Sequence, residues 1–129
     1  MKDQFEFSTS AEVIKEAITA VCNINSHDLR KVKITRFNST TYDSSGRGRL
    51  PSGACYNGVT VDMQYNYEWE VRWTDPKGNV WACQKMRWNI EPKDIDAGRI
   101  EIRILDGQPE KMIKVFKPSG NETFRASQI

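Results

Sequence analysis

From Val59 to Trp73 every odd position is apolar or aromatic, and every even position is polar or charged. In an extended chain successive side chains point to opposite sides, so this run predicts one long strand with a dry and a wet face. Asp75-Pro76-Lys77-Gly78 follows with type I turn chemistry. Beyond it the apolar set moves to even positions: Val80, Ala82, Met86, Trp88 and Ile90. A four-residue turn would pair Thr74 with Asn79, setting Trp73 against Val80 and Tyr67 against Met86. On the wet face the same register sets Arg72 against Trp81, Glu68 against Lys85 and Asn66 against Arg87.

Segments 99–105 and 110–116 predict a second hairpin, with Asp106 to Pro109 in its turn because proline cannot donate to a ladder. That register pairs Ile102 with Ile113 and Ile100 with Val115. Residues 31–37 alternate too, with Val32 and Ile34 opposite Lys31, Lys33 and Thr35. Upstream, residues 3–7 read as a short strand. Thr9 and Glu12 are spaced as a capping box, and Ile14, Ala17, Ile18, Val21 and Cys22 make one helical stripe. This predicts a helix over 10–22. Asn38 to Gly58 is rich in Ser, Thr and Gly and reads as a long polar loop. Residues 91–97 connect the hairpins with a short helical turn after Pro92, and a loose tail starts near 118.

The predicted fold class is therefore α+β in a single domain, residues 1–129. One amphipathic N-terminal helix packs on a curved, mostly antiparallel sheet of about five to six strands. The order of elements resembles a cystatin-like or nuclear-transport-factor-like architecture, a resemblance that implies no function.

The three cysteines, Cys22, Cys55 and Cys83, are odd in number and scattered. They read as packed or incidental thiols in a reducing cytoplasm, not as a disulfide framework. No run of about 18 apolar residues suggests a membrane span, and the first seven residues lack the apolar core of a secretory signal. The cysteines and the lone His27 lack metal-ligand spacing, and no phosphate-binding motif is present, so no metal or cofactor is expected.

A net charge of +2 permits an anionic partner without demanding one. Two features concentrate positive charge. The predicted 38–58 loop carries Arg47 and Arg49 between glycines, and guanidinium groups grip phosphate or carboxylate with paired hydrogen bonds. The wet sheet face carries Arg72, Trp81, Lys85, Arg87, Arg99 and Arg103, interleaved with Glu68, Glu70 and Glu101. Arg72 over Trp81 would be a cation–π pair, and Trp and Arg dominate binding hot spots. The expected function is a non-catalytic binding protein of the bacterial or phage accessory, immunity or counter-defence type. It would engage a protein or a small anionic ligand through this face and the loop, as a homo-oligomer or alone. A nucleotide- or RNA-binding module using Arg47, Arg49, Lys85 and Arg87 is the first alternative. A small ribonuclease with His27, or Glu68 and Glu70, as base is the second.

Overall fold

The computed structural model describes residues 15–129. These form ten strands: β1 (Ala17–Ile24), β2 (Leu29–Phe37), β3 (Tyr42–Leu50), β4 (Cys55–Val61), β5 (Glu68–Thr74), β6 (Val80–Met86), β7 (Arg99–Leu105), β8 (Ile113–Phe116), β9 (Glu122–Phe124) and β10 (Ser127–Gln128). They build two five-stranded sheets, ordered β4-β1-β7-β8-β9 and β10-β6-β5-β2-β3. Every pair is antiparallel except β1 with β7. The one α-helix among the described residues is Pro92–Ala97, where a turn was expected after Pro92. The inner faces meet in one core. Val21, Ile100, Ile102, Ile104, Ile113 and Val115 come from the first sheet, and Ile34, Trp69, Val71, Trp73 and Met86 from the second.

The α+β expectation is thus corrected to a mostly β, two-sheet architecture, and the cystatin-like and nuclear-transport-factor-like layouts fall with it. The predicted 10–22 helix is a strand from Ala17 onward. Residues 10–14, the Thr9–Glu12 cap and the 3–7 strand lie outside the described residues. β1 sits between β4 and β7, and from Thr19 to Asn23 it is buried throughout. A strand covered on both faces has no alternation to display, and its apolar run also fits a helical stripe.

The predicted 38–58 loop is corrected as well: β3 and most of β4 lie in it. Gly58 is required here. β1 and β4 shift register between Thr19 and Ala20, and a Cβ on Gly58 would come within 2.8 Å of both Ile34 Cγ2 and the Thr19 carbonyl oxygen. The tail from 118 is ordered by pairing, β9 on β8 and β10 on β6.

The single strand expected over 59–73 is two strands. Val59 and Val61 belong to β4 in the first sheet, Trp69, Val71 and Trp73 to β5 in the second. Asp62 to Tyr67 crosses between the sheets. The alternation survives the crossing because both strands turn their odd positions toward the same core.

The β5–β6 hairpin departs from the expected register by one residue. Asp75 N–H donates to Asn79 carbonyl oxygen at 2.9 Å, leaving Pro76-Lys77-Gly78 as a three-residue loop with Gly78 at φ 86°. Trp73 therefore opposes Trp81, and Val71 opposes Cys83. A one-residue slip exchanges faces. Trp81 turns inward and stacks on Trp73, with 6.5 Å between ring centroids. The expected Arg72–Trp81 cation–π pair is thereby overturned. A bulge with Lys85 at φ 57° restores parity, so Met86 reaches the core opposite Trp69. In the β7–β8 hairpin the slip is two residues, with Ile102 opposite Val115 and Ile104 opposite Ile113. An even slip keeps every side chain on its expected face.

Asp94, fully buried in the short helix, ties the C-terminal segment to the body. It accepts from the Ser119 backbone N–H at 2.8 Å, the Ser119 hydroxyl at 2.6 Å and the Glu91 N–H at 2.9 Å. Burial alone would raise its pKa, but these hydrogen bonds and the nearby Lys117 charge hold it below the ordinary carboxylate value. A lowered folded-state pKa stabilises the fold above the unfolded value of about 3.9, and that stability drains away as pH falls through the folded value. Asp94→Asn should cost about 1–3 kcal/mol at neutral pH. Urea titrations of both proteins should show the gap narrowing once pH drops below about 4; a gap constant down to acid would contradict the charge-assisted latch.

Candidate functional site

The outer face of the β10-β6-β5-β2-β3 sheet carries the site. Register places its side chains in rows. Thr35 lies between Ser44 on β3 and Glu70 on β5, and Lys33 lies between Gly46 and Arg72. Phe37, between Tyr42 and Glu68, closes the row nearest the β2–β3 turn. The small residues Ser44 and Gly46 leave the β3 side low. Phe37, Tyr42 and the turn Asn38–Thr41 form the wall of a groove of about 730 Å³, with Lys33, Thr35, Glu70 and Arg72 also lining it. The turn is braced by Asn38 Oδ1, which accepts from the Thr40 and Thr41 N–H groups at 2.8 Å.

Charge in the groove is uneven. Arg72 Nε pairs with Glu70, whose other oxygen accepts from Gln84 at 3.3 Å. Among the described residues no carboxylate lies within ion-pair distance of Lys33. The Ser44 hydroxyl and then the Lys33 charge hold the Tyr42 phenol below its usual pKa. The groove thus offers two cations against one carboxylate already engaged twice, hydroxyl partners, and two aromatic walls. That set suits a compact anion that also carries hydroxyl groups.

The residues expected to act together are dispersed. Of the expected cations and aromatics Arg72 alone lines this groove, together with the expected carboxylate Glu70. Arg47 and Arg49 are on β3 as a strand, not on a free loop. The Arg47 guanidinium lies 5.0 Å from the Tyr56 ring centroid, and Arg49 is paired with Asp28 at 2.7 Å. Arg87 is held by Glu68 at 3.1 Å near the β2–β3 turn, and Lys85 occupies the exposed bulge of β6. Arg103 lies on the other sheet, 3.8 Å from the Phe116 ring centroid and paired with Glu101 at 2.9 Å. Arg99 shares that carboxylate at 3.0 Å. Burial would raise the Glu101 pKa, but hydrogen bonds from the two arginines carry it below the ordinary value. Arg103 therefore belongs to a salt-bridged surface separate from the groove.

His27 and Trp81 line a different cleft, of about 380 Å³, at the Thr74 end of β5. The Trp81 indole N–H donates to Asp75 at 3.0 Å. Glu68 is at the opposite end of β5, roughly 20 Å away at 3.3 Å per residue. The two alternative bases, His27 and the Glu68–Glu70 pair, therefore sit at separate places on the protein. Among the described residues no three His, Cys, Asp or Glu side chains cluster as metal ligands.

Lys33, Thr35 and Tyr42 were missed as site residues. The alternation of β2 already put Lys33 and Thr35 on a wet face, but nothing local told that β5 would lie beside them.

The cysteines differ from expectation. Cys22 on β1 and Cys55 on β4 are opposite each other and joined by a disulfide. Cys83 is buried on the core side of β6, and burial pushes its thiol pKa up to about 12. No helix among the described residues is long and apolar enough to cross a membrane.

No protein-family model matches this sequence, and no curated protein matches it.

Proposed function

We propose that this is a binding protein whose ligand is a small hydroxylated anion, seated on the outer sheet face between Lys33 and Arg72. The observation that carries the reading is the groove itself. It joins a cation with no carboxylate partner among the described residues, a second cation, and hydroxyl groups under two aromatic walls. The rival reading as an RNA-binding surface has less support, because the arginines it needs are separated and mostly paired with carboxylates.

Calorimetric titration with inorganic phosphate, AMP, glucose 6-phosphate and glucuronate tests it. At least one should bind with a Kd near or below about 1 mM. The Lys33→Ala/Arg72→Ala double variant should weaken that binding at least roughly tenfold with little change in the thermal midpoint, since Lys33 is exposed, Arg72 is half-exposed, and ion pairs at such surface positions contribute little to stability. Failure of all four probes, or equal binding by the variant, overturns the proposal.

The compartment belongs to the same reading. The cytoplasmic expectation rested on three free thiols, whereas the Cys22–Cys55 bond supports an oxidising compartment.

A further inference from the structure

The anion groove does not stop at the β2–β3 turn. Phe37, Asn38 and Ser39 also line a second depression of about 490 Å³, which continues to Tyr65, Asn66 and Arg87. Asn66 and Arg87 lead into a third, of about 340 Å³, containing Trp88, Asn89 and Glu122. Tyr65, Asn66, Trp88 and Asn89 then border a fourth, of about 310 Å³, which ends at Glu91. These adjoining depressions, parted by the walls they share, form a segmented channel from the cationic sheet face across the end of the sandwich.

Its chemistry changes along the way. The cationic end is followed by side-chain amides (Asn38, Asn66, Asn89) and carboxylates (Glu68, Glu91, Glu122), with rings of Phe37, Tyr65 and Trp88 among them. The rings are held from below. Tyr65 meets Tyr67 edge-on at 6.0 Å, Tyr67 meets Trp69 at 6.1 Å, and Trp69 stacks on Trp88 at 4.7 Å. The Tyr67 hydroxyl donates to Asp62 at 2.9 Å, pinning the 62–67 crossover that presents Tyr65, which is 47% exposed. Rings fixed in this way bind without an added ordering cost.

We infer that the ligand is an oligosaccharide bearing an acidic group on some of its sugars, lying along this channel with an acidic sugar at Lys33 and Arg72. The inference rests on the anion site proposed above and extends it. A pyranose has an apolar C–H face that covers an aromatic ring, and a rim of hydroxyls that both donate and accept. Amides and carboxylates match that rim, and Tyr and Trp match the face. A nucleic acid could also stack on the rings, but its regularly spaced phosphates would find one cation without a carboxylate partner among the described residues, Lys33, since Arg72 and Arg87 are paired with Glu70 and Glu68 and Glu122 with Lys117. A glycan charged on every sugar meets the same obstacle.

The test is calorimetry with five probes: glucuronate, a hyaluronan hexasaccharide with alternating acidic and neutral sugars, neutral chitohexaose, hexagalacturonate and a uridine hexanucleotide. The hyaluronan hexasaccharide should bind at least roughly tenfold tighter than glucuronate and than either other hexasaccharide. Tyr65→Ala and Asn66→Ala, both in the crossover loop, should each cut the ratio of hexasaccharide to glucuronate affinity by about fivefold or more. Trp88→Ala should do the same if its thermal midpoint shows it folded. Equal affinity for glucuronate and its hexasaccharide, or a ratio indifferent to Tyr65 and Asn66, overturns the channel while leaving the anion site standing. No binding of glucuronate or of its hexasaccharide overturns the glycan inference alone, and failure of phosphate, AMP and glucose 6-phosphate as well overturns both. Tightest binding by the uridine hexamer assigns the channel to nucleic acid and overturns the glycan inference.

Discussion

Removing the Cys22–Cys55 bond should lower the free energy of unfolding by about 3–4 kcal/mol. The cysteines are 33 residues apart. Between them runs the whole β2–β3 hairpin, which belongs to the other sheet. In the unfolded chain the bond therefore closes a long loop and removes much of the conformational freedom that folding must otherwise overcome. The Cys22→Ala/Cys55→Ala variant should unfold at lower urea concentration than the oxidised parent. Its transition should also be steeper, since an unlinked denatured chain exposes more surface. Alkylation followed by mass measurement checks the premise directly. Without reductant the native protein should take up no label, because the remaining Cys83 thiol is buried and little ionised. In denaturant it should take up one, and after reduction three. Three labels without reductant would contradict the bond and, with it, the case for an oxidising compartment.

Trp69→Ala should cost about 3–5 kcal/mol, a large share of the stability of an ordinary domain. The indole is almost wholly buried, faces Met86 across the hairpin, and is the support on which Trp88 stacks. Truncation removes a large apolar surface from the core and leaves a void that the two sheets can only partly close. Trp69→Phe keeps an aromatic ring and should lose markedly less. Urea unfolding followed by far-ultraviolet circular dichroism reads both. A loss below about 1 kcal/mol for the alanine variant would mean that the ring is not the core residue described, since buried aromatic truncations cost several times that. If the proposed channel is correct, Trp69→Ala also loosens Trp88, so chain-length selectivity should weaken together with stability.

Face assignment in β5, β7 and β8 was legible in the amino-acid order. β5 turns Trp69, Val71 and Trp73 inward and Glu68, Glu70 and Arg72 outward, as alternation requires. β7 and β8 keep their isoleucines inside despite a shifted register, because a slip of two residues preserves parity. The site was legible only at Arg72 and Glu70, whose outward placement follows from the same alternation.

What the chain order determined by itself is local: where side chains alternate, which of them seek the core, and where the chain turns. What tertiary structure alone decided is which strands become neighbours. That choice made β1 a strand, because both its edges pair with strands distant in sequence. It divided the 59–73 run between sheets, and it set Lys33 beside Arg72. The β6 register depended on a three-residue loop and a bulge, and a single residue there moved Trp81 from the wet face to the core-facing side, where it is partly buried. The physical reason is that alternation repeats every two residues and carries no information about the partner strand, whereas pairing is fixed by long-range packing over the whole core.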